Sequence, residues 1–108
     1  MERDYFKGVA VATTVCDREG RVVYQNERAI ATLGDARGAN LRDCHQPSSW
    51  EKIEGMLSSG ESNAYTIEKA GVKKLIYQTP WYDESGEVCG LVEYSIVLPS
   101  EMPHRVRG

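Results

Sequence analysis

The chain predicts an α+β fold in which one antiparallel sheet carries its helices on a single face. Three observations point there. Two turn signals of the same Asp-x-x-Gly spacing, Asp17 to Gly20 and Asp83 to Gly86, each join segments rich in strand-forming residues. Between these hairpins lie two stretches whose apolar residues recur at helical spacing. The last three extended segments are joined by turns too short for parallel crossovers, so that meander is antiparallel.

Taken in order, residues 1–8 form a lead-in that is polar except for Tyr5 and Phe6. Val9 to Cys16 is rich in small and β-branched residues and reads as a buried strand. Arg21 to Gln25 returns as its hairpin partner. Asn26 suits a helix N-cap, with Ala29, Ile30 and Leu33 at helical spacing behind it and Gly34 at the C′ position. Asp35 to Pro47 holds turn formers and predicts loop with at most a short helical turn. Ser48 and Glu51 then form a capping box, and Trp50, Ile53, Met56 and Leu57 define the apolar stripe of a second helix ending at Gly60. Asn63 to Lys69 alternates as a strand, and Ala70-Gly71 turns it into Lys73 to Trp81, which places Leu75, Tyr77, Thr79 and Trp81 on one face. Pro80 marks the end of that strand as an edge or bulge. The last strand, Glu87 to Leu98, puts Val88, Gly90, Val92, Tyr94 and Ile96 opposite Cys89, Leu91, Glu93, Ser95 and Val97. Pro99 stops it, which makes residues 9–98 the domain and 99–108 a flexible tail.

Size and composition narrow the function. A chain of 108 residues has room for one domain and one core. Its apolar content of 41% and charged content of 27% are those of an ordinary globular protein. A net charge of -3 carries no nucleic-acid or membrane footprint. No apolar run approaches the roughly 20 residues that span a bilayer, and no basic-then-apolar leader opens the chain, so the expected compartment is the cytoplasm. The three cysteines, Cys16, Cys44 and Cys89, are odd in number and widely spaced, against both a disulfide framework and a paired-ligand zinc site.

The run Val15-Cys16-Asp17-Arg18-Glu19-Gly20-Arg21-Val22-Val23-Tyr24-Gln25-Asn26 resembles the opening hairpin of the PAS family. Leu33-Gly34 matches the end of that family's first helix, and the segment from Tyr82 through Asp83 and Gly86 to Glu93 is similar to its closing hairpin. The resemblance covers Val9 to Leu98. It implies a five-stranded antiparallel sheet in the order 2-1-5-4-3, with helices enclosing a cavity on one face. It also implies a sensor or signal-transduction module that binds haem, flavin or a small metabolite, or that binds nothing and dimerises. Such modules pass their state to a partner such as a kinase or transcription regulator.

The candidate cavity residues are His45, Trp50, Ile53, Leu57, Tyr65, Tyr77, Val92 and Tyr94. Trp50 comes from the second helix, and the tyrosines from strand faces that can point at it, with Trp81 in the same aromatic set. Rings with a polar tip suit a cavity for a small polar or aromatic ligand. His45 could serve as an axial haem ligand, but its place ahead of the helix favours a backbone-bonded entry residue. Cys44 beside His45 suggests a thiol enzyme, the least favoured reading, because no acidic partner orients the pair. Asn40-Leu41-Arg42-Asp43-Cys44-His45 also lacks the stretch that the flavin-adduct branch of the family needs. Ile76, Leu91 and Val97, interspersed with Gln78, Glu93 and Ser95, are expected on the opposite face as a dimer or partner surface that Tyr5 and Phe6 could cover. No carboxylate pair, phosphate loop or metal-ligand spacing argues for catalysis. The expected protein is a non-enzymatic, homodimeric sensor, with a ligand-free homodimerisation scaffold as the alternative.

Overall fold

The computed structural model describes residues 3–44 and 46–108. Its elements run β1 (Ala12–Asp17), β2 (Val22–Gln25), α1 (Glu27–Leu33), α2 (Leu41–Cys44), α3 (Pro47–Ser59), β3 (Asn63–Lys69), β4 (Val72–Tyr82) and β5 (Val88–Val97). The five strands form one antiparallel sheet in the order β2-β1-β5-β4-β3. Among the described residues no helix is long and apolar enough to cross a membrane.

The repeated Asp-x-x-Gly signal produces the same turn twice. Asp17 Oδ1 accepts from the backbone N–H groups of Glu19 and Arg21, and Asp83 Oδ1 accepts from those of Ser85 and Glu87. Each turn closes on a left-handed glycine, Gly20 at φ 88° and Gly86 at φ 87°. Asn26 caps α1 as its position predicts, accepting from the Ala29 N–H at 3.0 Å. Gly60 ends α3 in the left-handed region, its N–H donating to the Met56 carbonyl.

Three local expectations need correction. β1 begins at Ala12 and not at Val9, because Val9 to Val11 are drawn into a turn by the Asn26 amide, which donates to the carbonyls of Phe6 and Val11. The Ser48–Glu51 capping box does not form. α3 starts two residues earlier, with Pro47 in its first turn and Gln46 at the N-cap without a side-chain bond; proline's fixed φ and missing N–H suit that start. The strand alternation is right in period but inverted in facing, since the helices cover the side that carries Ile76, Gln78, Leu91 and Glu93. Pro80, by contrast, sits where a proline is tolerated: β3 pairs with β4 only as far as Gln78, so nothing needs its missing N–H.

The core lies between the sheet and α3. Trp50, Ile53, Met56 and Leu57 are buried along one stripe of the helix and pack with Cys16 and Leu91 of the sheet. Burial of each such side chain contributes about 1.5–3 kcal/mol. The Trp50 ring lies 2.6 Å from where a Cβ on Gly20 would stand, so the first hairpin turn is a seat for the helix. On the other sheet face Gly90 has a similar role: the Trp81 indole crosses over it and donates to the Cys16 carbonyl at 3.0 Å.

Candidate functional site

Two β-bulges set what faces the helices. Between β1 and β2 the pairing passes from Val15–Tyr24 to Cys16–Val22, and the extra residue, Val23, turns outward and is 53% exposed. Val22 and Gln25 therefore both point inward. Between β4 and β5 the extra residue is Cys89, which turns Val88 onto the helix-side core instead of the face of Gly90.

The result is a row of five polar residues crossing all five strands. Gln25 pairs with Thr14, Thr14 with Glu93, Glu93 with Gln78, and Gln78 with Asn63. A cavity of about 320 Å³ sits over this row, roofed by Leu33, Ala36, Leu41 and Ile53 and flanked by Cys16, Val22 and Leu91. A second space of about 300 Å³, lined by Ser49, Lys52, Asn63 and Tyr65, shares Ile53, Gln78 and Glu93 with the first.

The hydrogen bonds along the row run one way. Asn63 Nδ2 donates to Gln78 Oε1 at 3.0 Å, and Gln78 Nε2 donates to Glu93 Oε2 at 2.8 Å. Gln25 is occupied with the loop after α1, accepting from the Ala36 N–H at 2.7 Å and donating to the Gly34 carbonyl. Between these two groups the buried Thr14 hydroxyl has no partner. Burial and the Asp17 and Glu93 charges together hold the Cys16 thiol above its ordinary pKa. Partial burial, then Glu93, does the same for the Tyr65 hydroxyl.

The predicted cavity residues divide. Ile53 lines both spaces, and Tyr65 lines the second. Trp50 and Leu57 belong to the packed core, and Trp50 also lies 4.9 Å beneath the Arg42 guanidinium. Tyr77, Val92 and Tyr94 do not face the cavity; alternation from Gln78 and Glu93 puts them on the far side of the sheet. The expected partner face is corrected in the same sense. Ile76 and Leu91 are buried beneath the helices, while Val97 shares their side but lies exposed at the end of β5 opposite Lys74. Tyr5 and Phe6 are exposed at 76% and 54%. His45 and the side chain of Cys44 lie outside the described residues. Sequence reasoning missed Thr14, Gln25, Asn63, Gln78 and Glu93 as site residues. Their signal is register: the two-residue turn at Ala70-Gly71 already pairs Asn63 with Gln78.

The described lining does not suit haem or a flavin nucleotide. Among the described residues, the lining of the larger cavity has no histidine, lysine or arginine to bind iron or to pair with propionate or phosphate. Cys16, the one thiol among the described lining residues, is held protonated by burial and so is a poor metal ligand. Among the described residues no group of three His, Cys, Asp or Glu is arranged for a metal ion.

No protein-family model and no curated protein sequence matches the chain. Its similarity is to solved structures. The C-terminal domain of a Streptococcus mutans protein superposes with a TM-score of 0.71 at 17% identity, over 85% of this chain and 78% of that one. The PAS domain of the histidine kinase ThkA gives 0.65 at 17% identity, over 80% and 97%. The Aer2 receptor from Vibrio cholerae, a dual PAS-haem oxygen sensor, gives 0.65 at 15% identity, over 82% and 95%. With the sheet order β2-β1-β5-β4-β3 and the helices gathered on one face, the chain has the PAS fold.

Proposed function

We propose that the chain is a non-enzymatic sensor module that holds a small organic ligand over the polar row and relays its presence to a partner. The observation that carries this reading is the Thr14 hydroxyl, buried without a hydrogen bond at the wall of a cavity otherwise lined mainly by apolar side chains. A buried polar group left unpaired costs about 1–3 kcal/mol, which a ligand supplying the bond would recover. The cavity volume lies at the small end of the range of ~300–1,000 Å³ for ligand sites. The solved structures with this fold include a histidine-kinase domain and an oxygen sensor, which supports a signalling role with a kinase or transcription regulator as output. A cytoplasmic location fits that role. The thiol-enzyme alternative rests on Cys44 and His45, and a Cys44→Ala variant that loses a measured activity would support it.

Native mass spectrometry of the purified chain, followed by denaturation, tests the proposal. The expected result is a released small molecule, or cavity-residue NMR shifts on titration with a metabolite library. Bare-chain mass together with unmoved Thr14, Gln78 and Glu93 resonances would sink it. A second reading, a ligand-free homodimerisation scaffold, is favoured by the uncharged outer sheet face built from Val15, Leu75, Tyr77, Val92, Tyr94 and Ile96.

A further inference from the structure

Resting on the reading of the cavity as a ligand site, we infer that its ligand is a compact organic amine, bound as the ammonium between the Glu93 carboxylate and the Thr14 hydroxyl. The direction of the polar row carries this. Asn63 donates to Gln78 and Gln78 donates to Glu93, so the chain of donors ends on an acceptor-only carboxylate. One oxygen of Glu93 is thereby fixed, and the other has no hydrogen bond among the described residues. A ligand meeting that oxygen must donate. Thr14 is the cross-strand partner of Glu93 on the same face, and its unpaired hydroxyl, closed off from the cavity as the side chain stands, comes within reach of the same ligand atom on rotation about χ1.

Charge selects the kind of donor. The ion pairs among the described residues are Lys7–Glu27 and Arg37–Asp35, and Glu93 is in neither. Among the described residues the larger cavity has no cationic side chain in its lining. Lys52 borders the second space, but it is exposed on α3. An ammonium entering the cavity would meet Glu93 with both charge and hydrogen bond, where an alcohol or amide supplies only the hydrogen bond. An ammonium also has the donors to serve Glu93 and Thr14 together. The body of the ligand must be apolar, since Cys16, Val22, Leu33, Ile53 and Leu91 surround the rest of the space.

The test is a ¹⁵N-NMR titration of the full chain with three probes of similar size: 2-phenylethylamine, 2-phenylethanol and 3-phenylpropionate. The expected result is that the amine shifts the amides of Thr14, Ile53, Gln78 and Glu93. The alcohol binds about tenfold more weakly, and the carboxylate does not bind. Glu93→Gln lowers the amine affinity about tenfold or more and brings it to that of the alcohol. Thr14→Val, a near-isosteric change that leaves the Asn63–Gln78–Glu93 row intact, lowers it about threefold to tenfold. Equal binding of amine and alcohol, or an unchanged affinity in folded Glu93→Gln and Thr14→Val, overturns the amine assignment while leaving the cavity a ligand site. If the amine moves no cavity amide while a member of the metabolite library does, the amine assignment fails and the cavity reading stands; if the library moves none either, both fail.

Discussion

Asn26 does more for this fold than cap a helix. Its Oδ1 accepts from the N–H groups of Thr13 and Ala29, both at 3.0 Å, and its Nδ2 donates to the carbonyls of Phe6 and Val11. One buried amide thus joins the lead-in, β1 and α1. Asn26→Ala removes the cap and strands the Thr13 N–H, so the expected loss is about 2–4 kcal/mol, read as a lower urea midpoint at unchanged slope. Asn26→Asp retains the acceptor and loses the donors, and a loss equal to that of alanine would show that the cap contributes nothing. Tyr24, on the outer side of β2, fixes the same lead-in by donating to Asp4. Burial, then the Asp4 carboxylate, pushes its pKa from 10.0 up to about 12. The unfolded chain therefore loses this proton first. The stability it contributes is complete below pH 10 and is lost as the pH climbs towards 12. Tyrosinate absorbance should show Tyr24 and Tyr65 titrating late, and only the Tyr24 step should move back towards the ordinary range in Asp4→Asn.

At the scale of elements, turns and caps were legible because each rests on a residue type with a local physical cause. Asp17, Gly20, Asn26, Gly60, Asp83 and Gly86 all act where the sequence places them. Facing was not legible. The side of β4 and β5 with the larger apolar residues, Tyr77, Trp81, Val92 and Tyr94, looks like the core side by hydrophobicity. The helices instead cover Gln78, Glu93 and Ser95, because a cavity needs small and polar residues beneath it. The bulges at Val23 and Cys89 hid the site further, since each shifts the register by one residue and no single residue announces it. Gly90 shows how tightly the element beyond the second bulge is built. A Cβ there would meet the Cys16 carbonyl and lie 2.5 Å from Trp81 Nε1, breaking the indole's bond to Cys16. Gly90→Ala should cost about 2–4 kcal/mol from overpacking and the lost bond. It should also red-shift the Trp81 fluorescence, measured in a Trp50→Phe background. A variant as stable as its parent, with unshifted emission, would show that the β1–β5 pair relaxes around the methyl group.

For the whole molecule, the inverted facing leaves a large uncharged surface on the side without helices. Val15, Val92 and Thr79 form one cross-strand row, Thr13, Tyr94, Tyr77 and Ala64 the next, and Ile96 and Leu75 a third. Tyr77 is 39% exposed at its centre, while Thr13 at one end of its row is buried. Such a face on one side of a domain this small is of the kind that marks an interaction surface. The proposed homodimer therefore belongs on the Tyr77–Tyr94 face, not on the Ile76–Leu91 face, which the helices already occupy. Tyr94→Glu places a charge in the middle of the middle row without touching the cavity residues of the same strand. Light scattering after size exclusion should show a dimer for the parent chain. The variant should be monomeric, with affinity between copies reduced about a hundredfold, the loss of a central aromatic anchor. If the parent is monomeric at every concentration tested, or if Tyr94→Glu dimerises as tightly as the parent, self-association does not use this face, and the surface is free for the output protein instead.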